Sequence, residues 1–188
     1  MRKAALVAFL FTLSACAMAQ STDVALTAGG YFAVSNPADL GAAFALEGTV
    51  AHQVAEIPLA SVAVEVPIAG SFKSSIPTLS GLAVARSYTS LFITPGLRLR
   101  LAPSFPVSPY LSAGLGYGRF NRTFFNGRTS AESTFAVDIG GGLDFKVLPF
   151  VGLRAEIRDF NSGGVGIETL ALGRQNNLFV TLGLALRF

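Results

Sequence analysis

His52 is the only histidine of the chain and Cys16 the only cysteine. No histidine pair or cysteine cluster is present to anchor a zinc ion. The acidic residues are scattered singly, and nothing in their spacing supports a calcium loop. Two glycine-rich stretches, Gly114-x-Gly116-x-Gly118 and Gly140-Gly141-Gly142, invite a phosphate-cradle reading. A phosphate loop requires a helix start directly after it. Here the alternating strand pattern simply continues. These glycines read as inward-facing positions that relieve crowding or permit bending. His52 falls on the apolar register of its segment, beside a tight turn, and reads as an interfacial residue. No catalytic, cofactor-binding or metal-binding residue is expected. Nor is enzymatic activity.

The chemistry that the sequence does write is ionic, and it lies at period two. In 151–158, Val151, Leu153, Ala155 and Ile157 alternate with Gly152, Arg154, Glu156 and Arg158. The same separation recurs along the chain. Asp138, Asp144 and Lys146 oppose Phe135, Val137, Ile139, Leu143 and Phe145. Arg98 and Arg100 oppose Leu97, Leu99 and Leu101. Glu65 opposes Val62, Val64 and Val66, and Glu47 opposes Phe44, Leu46 and Val50. Arg187 stands opposite Val180, Leu182, Leu184, Leu186 and Phe188. The polar face thus carries Arg98, Arg100, Lys146, Arg154, Arg158 and Arg187 against Glu47, Glu65, Asp138, Asp144 and Glu156. Signs are nearly balanced, so the groups can pair.

Positioning such a face requires strands with two different surroundings. Of the 188 residues, 51% are apolar and only 13% charged, and the mean hydropathy is +0.54. Soluble domains carry about 25% charged residues. No apolar run reaches the roughly 18 residues of a membrane helix. The polar face is rich in Gly, Ala, Ser and Thr with single charges of both signs, which suits a crowded interior. A water-exposed face would carry many more Lys and Glu. The apolar face is therefore assigned to lipid and the polar face to the inside of a narrow barrel.

Strands are predicted at 23–35, 41–53, 58–69, 86–101, 108–121, 131–147, 149–160 and 176–188. Tight connections are expected around Ala55-Glu56, from Ala102-Pro103 to Val107, and at Leu148-Pro149. Longer ones are expected at roughly 70–85, 122–130 and 161–175. Short turns on one side and long loops on the other describe an outer-membrane barrel, with the turns facing the periplasm. The fold expected is all-β, an eight-stranded antiparallel up-and-down transmembrane β-barrel. It occupies 20–188, with no second domain after it. An interior this narrow is just filled by side chains, so a plugged lumen is expected. The alternative is a small channel for ions or hydrophobic solutes.

Residues 1–19 have the form of a secretory signal peptide: Arg2 and Lys3, an apolar core from Ala4 to Leu13, and a small-residue exit. Cleavage after Ala19 is favoured. The stretch Leu13-Ser14-Ala15-Cys16 also resembles a lipobox, which would make Cys16 a lipid anchor. The formal charge of +3 includes Arg2 and Lys3, so without its leader the chain stands near +1. The pI of 9.4 therefore does not point to nucleic acid.

The terminal stretch Leu182-Gly183-Leu184-Ala185-Leu186-Arg187-Phe188, with the Gly-rich aromatic Ala113-Gly114-Leu115-Gly116-Tyr117-Gly118, resembles the small outer-membrane β-barrel superfamily. That superfamily includes OmpA-like transmembrane domains, OmpX and OmpW-type proteins. The resemblance implies that Leu182, Leu184, Leu186 and Phe188 are an insertion signal read by the barrel-assembly machinery. It implies a bacterial outer-membrane location. Without tryptophan, the interfacial aromatic belts are expected from Tyr110, Tyr117, Phe120, Phe135, Phe145 and Phe160. Arg122, Phe124, Phe125 and Arg128, in one long loop, are candidate contacts for lipopolysaccharide phosphates and acyl chains or for a partner. A monomer with a structural or surface-interaction role is expected.

Overall fold

The computed structural model describes residues 22–34, 42–74, 87–123, 128–163 and 175–188. Both proposed processing sites, Phe124, Phe125 and most of the two other long connections lie outside the described residues. Among the described residues nine antiparallel strands are present: β1 (Thr22–Val34), β2 (Ala42–Ile57), β3 (Ala60–Ser74), β4 (Ser87–Ile93), β5 (Gly96–Leu101), β6 (Val107–Thr123), β7 (Thr129–Lys146), β8 (Val151–Ser162) and β9 (Gln175–Arg187). Strand β1 pairs with both β2 and β9, the latter from Asp23↔Arg187 to Val34↔Asn176. The sheet therefore closes on itself and has no free edge. Strands β4 and β5 both lie between β3 and β6, as two halves of one stave. The ring has eight staves.

Three boundaries differ from the sequence reading, each for a local reason. The expected strand 86–101 breaks at Thr94 and Pro95, because proline has no N–H to give to a ladder. The wall is held there by Thr94 N donating to Pro67 O (3.4 Å) and Leu115 N donating to Pro95 O (3.1 Å). The turn after β2 falls at Pro58-Leu59, beyond Ala55-Glu56, because a register shift between Gln53 and Ala55 lets pairing continue past it. The seventh stave, β8, starts at Val151, since Val147 N and Leu148 N both donate to Val151 O in a tight turn. In the turn after β5, Ala102 takes a φ of 48°, and its N–H donates to Leu59 O of the neighbouring turn (2.9 Å).

Adjacent residues show how the wall is inverted relative to a soluble protein. Ile157 is 56% exposed, and Arg158 beside it is 0% exposed. Leu26, Leu111, Ile139 and Leu182 are likewise outside, while Glu47, Glu65, Asp138 and Arg154 are buried inside. A surface of this kind is stable only against an apolar medium.

Aromatic side chains form two belts on the outer surface. Phe32, Phe44, Phe72, Tyr117 and Phe135 lie towards the end carrying the long loops. Phe105, Phe150 and Phe188 lie at the end carrying the tight turns. Phe44↔Phe72 and Tyr117↔Phe135 are direct cross-strand pairs, a contact worth roughly 0.2–1 kcal/mol. The expected belts need correcting at three positions: Tyr110, Phe120 and Phe160 point into the barrel. Register overrides side-chain character here. Phe160 stands two residues from Arg158 and so shares its face.

Candidate functional site

The interior is a column of layers, set by how far along each strand an inward residue lies. At mid-height β8 places Arg158 against four carboxylates. Its Nε lies 3.2 Å from Glu47 Oε1, Nη2 lies 2.8 Å from Glu65 Oε1 and 2.5 Å from Glu156 Oε1, and Nη1 lies 2.5 Å from Asp138 Oδ2. These carboxylates come from β2, β3, β7 and β8, so one guanidinium ties much of the ring. Room for it depends on small neighbours. A Cβ at Gly114 would stand 2.3 Å from Asp138 Oδ1 and 2.5 Å from Thr94 O.

Nearer the turn end the balance reverses. Arg154 donates to both oxygens of Asp144 (Nε 2.8 Å, Nη2 3.1 Å) and reaches Asp23 at 3.2 Å. Arg98 bridges the layers, with Nη1 3.2 Å from Asp23 and Nη2 2.5 Å from Glu65. Arg100 pairs with Asp23 and, at 2.9 Å, with Asp144, and Arg187 lies 3.3 Å from Asp144. Tyr110 joins the two levels. Its hydroxyl donates to Glu156 Oε2 (2.8 Å), and its ring lies 4.7 Å from the Arg98 guanidinium and 5.2 Å from that of Arg154.

Above the ions, towards the loop end, the lumen is aromatic. Tyr31, Tyr88, Phe92, Phe120, Phe160 and Phe179 are all buried there, with Ala45, Ala69 and Ala136 between them. Phe92 stacks on Phe160 with centroids 4.6 Å apart. Phe179 meets Phe160 edge-on at 5.1 Å and Tyr31 at 5.2 Å, and Phe120 meets Phe92 at 5.5 Å. Such offset and edge-on arrays are the favoured aromatic geometries. Tyr31 Oη donates to Asn177 Oδ1 (2.8 Å), and Asn177 Nδ2 donates to Phe160 O (2.8 Å) and Ser162 Oγ (3.1 Å), giving the layer a polar outer rim.

Of the lumen charges named from sequence, Glu47, Glu65, Arg98, Arg100, Asp138, Asp144, Arg154, Glu156, Arg158 and Arg187 meet in this one network. Lys146 does not. It has the inward register but sits at the turn end, exposed, and its Nζ donates to the Pro103 carbonyl. Among the described residues it forms no salt bridge. Sequence reasoning missed Asp23, the hub of three arginines, and the whole aromatic layer. Both carried a signal: Asp23, Thr27 and Tyr31 share one register of β1, and Phe179 shares that of Thr181 and Arg187.

His52 lies on the outer face near the turn end, its Nδ1 3.0 Å from Thr22 Oγ1 across the β1–β2 pair. Leu182, Leu184, Leu186 and Phe188 project outward along β9. Arg122 is near the loop end of β6, where its backbone pairs with Ser130, and Arg128 is exposed directly before β7. Among the described residues, no group of His, Cys, Asp and Glu is arranged to hold a metal ion.

A family model described as outer membrane protein beta-barrel domain matches residues 5–188. The chain belongs to that family. Its place is the bacterial outer membrane, with the apolar surface in lipid and the turn end towards the periplasm. Solved structures share the fold. Neisserial surface protein A is 21% identical over 89% of this chain and 97% of its own, with a TM-score of 0.60. Ail, the attachment invasion locus protein of Yersinia pestis, is 14% identical over 90% of this chain and 99% of its own, with a TM-score of 0.57. A further structure of Ail holds the heparin analogue sucrose octasulfate. The outer membrane enzyme PagL is 15% identical over 88% of this chain and 99% of its own, with a TM-score of 0.54. No curated protein sequence matches the chain.

Proposed function

We infer that this barrel is a non-enzymatic, closed outer-membrane protein that works through its outer loops. The observation that carries this reading is the filled cross-section of the lumen: an aromatic layer above a buried ion-pair network. With the interior occupied, the loops are the surface left for contact. Arg122, Phe124, Phe125 and Arg128 combine guanidinium groups with apolar rings in one short stretch of sequence, a composition suited to phosphate or sulfate groups beside acyl chains. Ail, a barrel of the same fold, binds a sulfated sugar, which supports an anionic surface ligand here. Residues 1–19 are taken to leave as a signal peptide, and Leu182, Leu184, Leu186 and Phe188 to act as the insertion signal.

The test is binding of the refolded protein to lipopolysaccharide and to heparin. An Arg122→Ala, Arg128→Ala double variant is expected to keep the fast-migrating band of a folded barrel on unboiled gels. Its affinity for both ligands should fall about tenfold or more, in line with roughly 1.5–3 kcal/mol for charge-assisted hydrogen bonds. Unchanged affinity in a folded variant would remove this stretch from the proposed contact surface.

A further inference from the structure

The ions of the lumen are segregated along its axis. Glu47, Glu65, Asp138 and Glu156 gather on Arg158, whereas Arg98, Arg100, Arg154 and Arg187 share chiefly Asp23 and Asp144. The periplasmic mouth is thus base-rich. Lys146 adds a further cation on the same register, and the nearby turn contributes Glu56, which accepts from Gln53 Nε2 at 2.6 Å.

A cavity of about 30 Å3 opens at this mouth between Arg98, Arg100, Arg187 and Asp23, with Gln53 and Ser61 also on its wall. The three guanidinium groups bring N–H donors that make no hydrogen bond or ion pair: Arg98 Nε, Arg100 Nε, and Nε and Nη1 of Arg187. Arg98 itself is 1% exposed. Buried donors without acceptors are costly and rare. The cavity exceeds the roughly 10–15 Å3 that one water needs, and its lining calls for an acceptor carrying negative charge.

We propose that the periplasmic mouth is an oxyanion site, in which Arg98, Arg100 and Arg187 bind one phosphate-sized group entering from the periplasm. Asp23 is the one acid on the wall, and it already accepts from Arg98, Arg100 and Arg154. A phosphate opposite it would take the donors that Asp23 cannot reach. Because the cavity opens outward, the phosphate can be a free ion or the end of a larger molecule such as a lipid headgroup.

The experiment is a calorimetric titration of inorganic phosphate into the full chain, folded in a non-ionic maltoside detergent at constant ionic strength. Arg187→Gln and Arg100→Gln are the test variants. Arg119→Gln, on the outward register of β6, is the control, and folding of all four proteins is checked by migration on unboiled gels. Arg100 and Arg187 are partly exposed, and Asp23 and Asp144 keep Arg154 in either variant, so both are expected to fold. Saturable one-to-one binding, weakened at least tenfold in each test variant and unchanged in the control, is the result expected. Repeating the titration in phosphatidylglycerol nanodiscs separates the two sources. Binding retained there points to free phosphate, and binding lost there points to a headgroup already in place. Absence of saturable binding in detergent, or binding by both folded test variants as tight as that of the wild type, would overturn the proposal and leave a water-filled vestibule.

Discussion

Replacing Arg158 by methionine is expected to destabilise the folded barrel by about 3–5 kcal/mol, the cost of removing one partner from a buried ion pair. The expected loss lies at the top of that range because Arg158 faces Glu47, Glu65, Asp138 and Glu156 together. Without the guanidinium, these buried carboxylates face one another, with only Glu65 keeping a second arginine among the ion pairs described, Arg98. Urea unfolding in lipid vesicles, followed by loss of the fast-migrating unboiled band, measures the effect. Adding Glu47→Gln and Glu156→Gln to Arg158→Met should recover part of the loss, since coupled neighbours are not additive. An unfolding midpoint unchanged by Arg158→Met would show that the four-way contact contributes nothing to stability.

Truncating the stacked pair at the centre of the aromatic layer is the second large effect. Phe92→Ala or Phe160→Ala should each cost about 3–5 kcal/mol, the usual range for a buried phenylalanine. The pair adds about 0.5–1.5 kcal/mol beyond burial. The double variant should therefore lose less than the sum of the two single variants. It also removes the rings that stand between the loop end and the ion column. In a membrane-embedded barrel the outer surface meets lipid, so the interior must supply the cohesion that a soluble protein finds in an apolar core. This barrel divides that task, with rings above and ion pairs below. The same urea titration, run on the three variants, checks the prediction.

The fold was legible because period-two patterning survives in every stave. Val151 to Arg158 alone separates a lipid face from a charged one, and the terminal run to Phe188 repeats it. Closure by β1 and β9 follows from an even ring with no stave left over. The charged lumen was legible for the same reason. What remained hidden has physical causes. Which arginine meets which carboxylate depends on the stagger of the staves, and Arg158 reaches Glu47 and Glu65 across the lumen from β2 and β3. Sequence carries no measure of that stagger. Phe120, Phe160 and Tyr110 read as belt residues because aromatic residues favour interfaces, although their register groups them with Gly118, Arg158 and Ser112. Lys146 had the inward register but not the depth, and height along a strand decides between a buried ion and a solvated one. Pro95 divides a stave that apolar alternation alone makes continuous.

The closed lumen is tested most directly by recording from the purified full chain in planar lipid bilayers at high salt. No stepwise conductance is expected from the wild-type protein if, as proposed, the aromatic layer and the ion column close the lumen. Steady unitary steps from the wild-type barrel would contradict a closed lumen and make the protein a small channel.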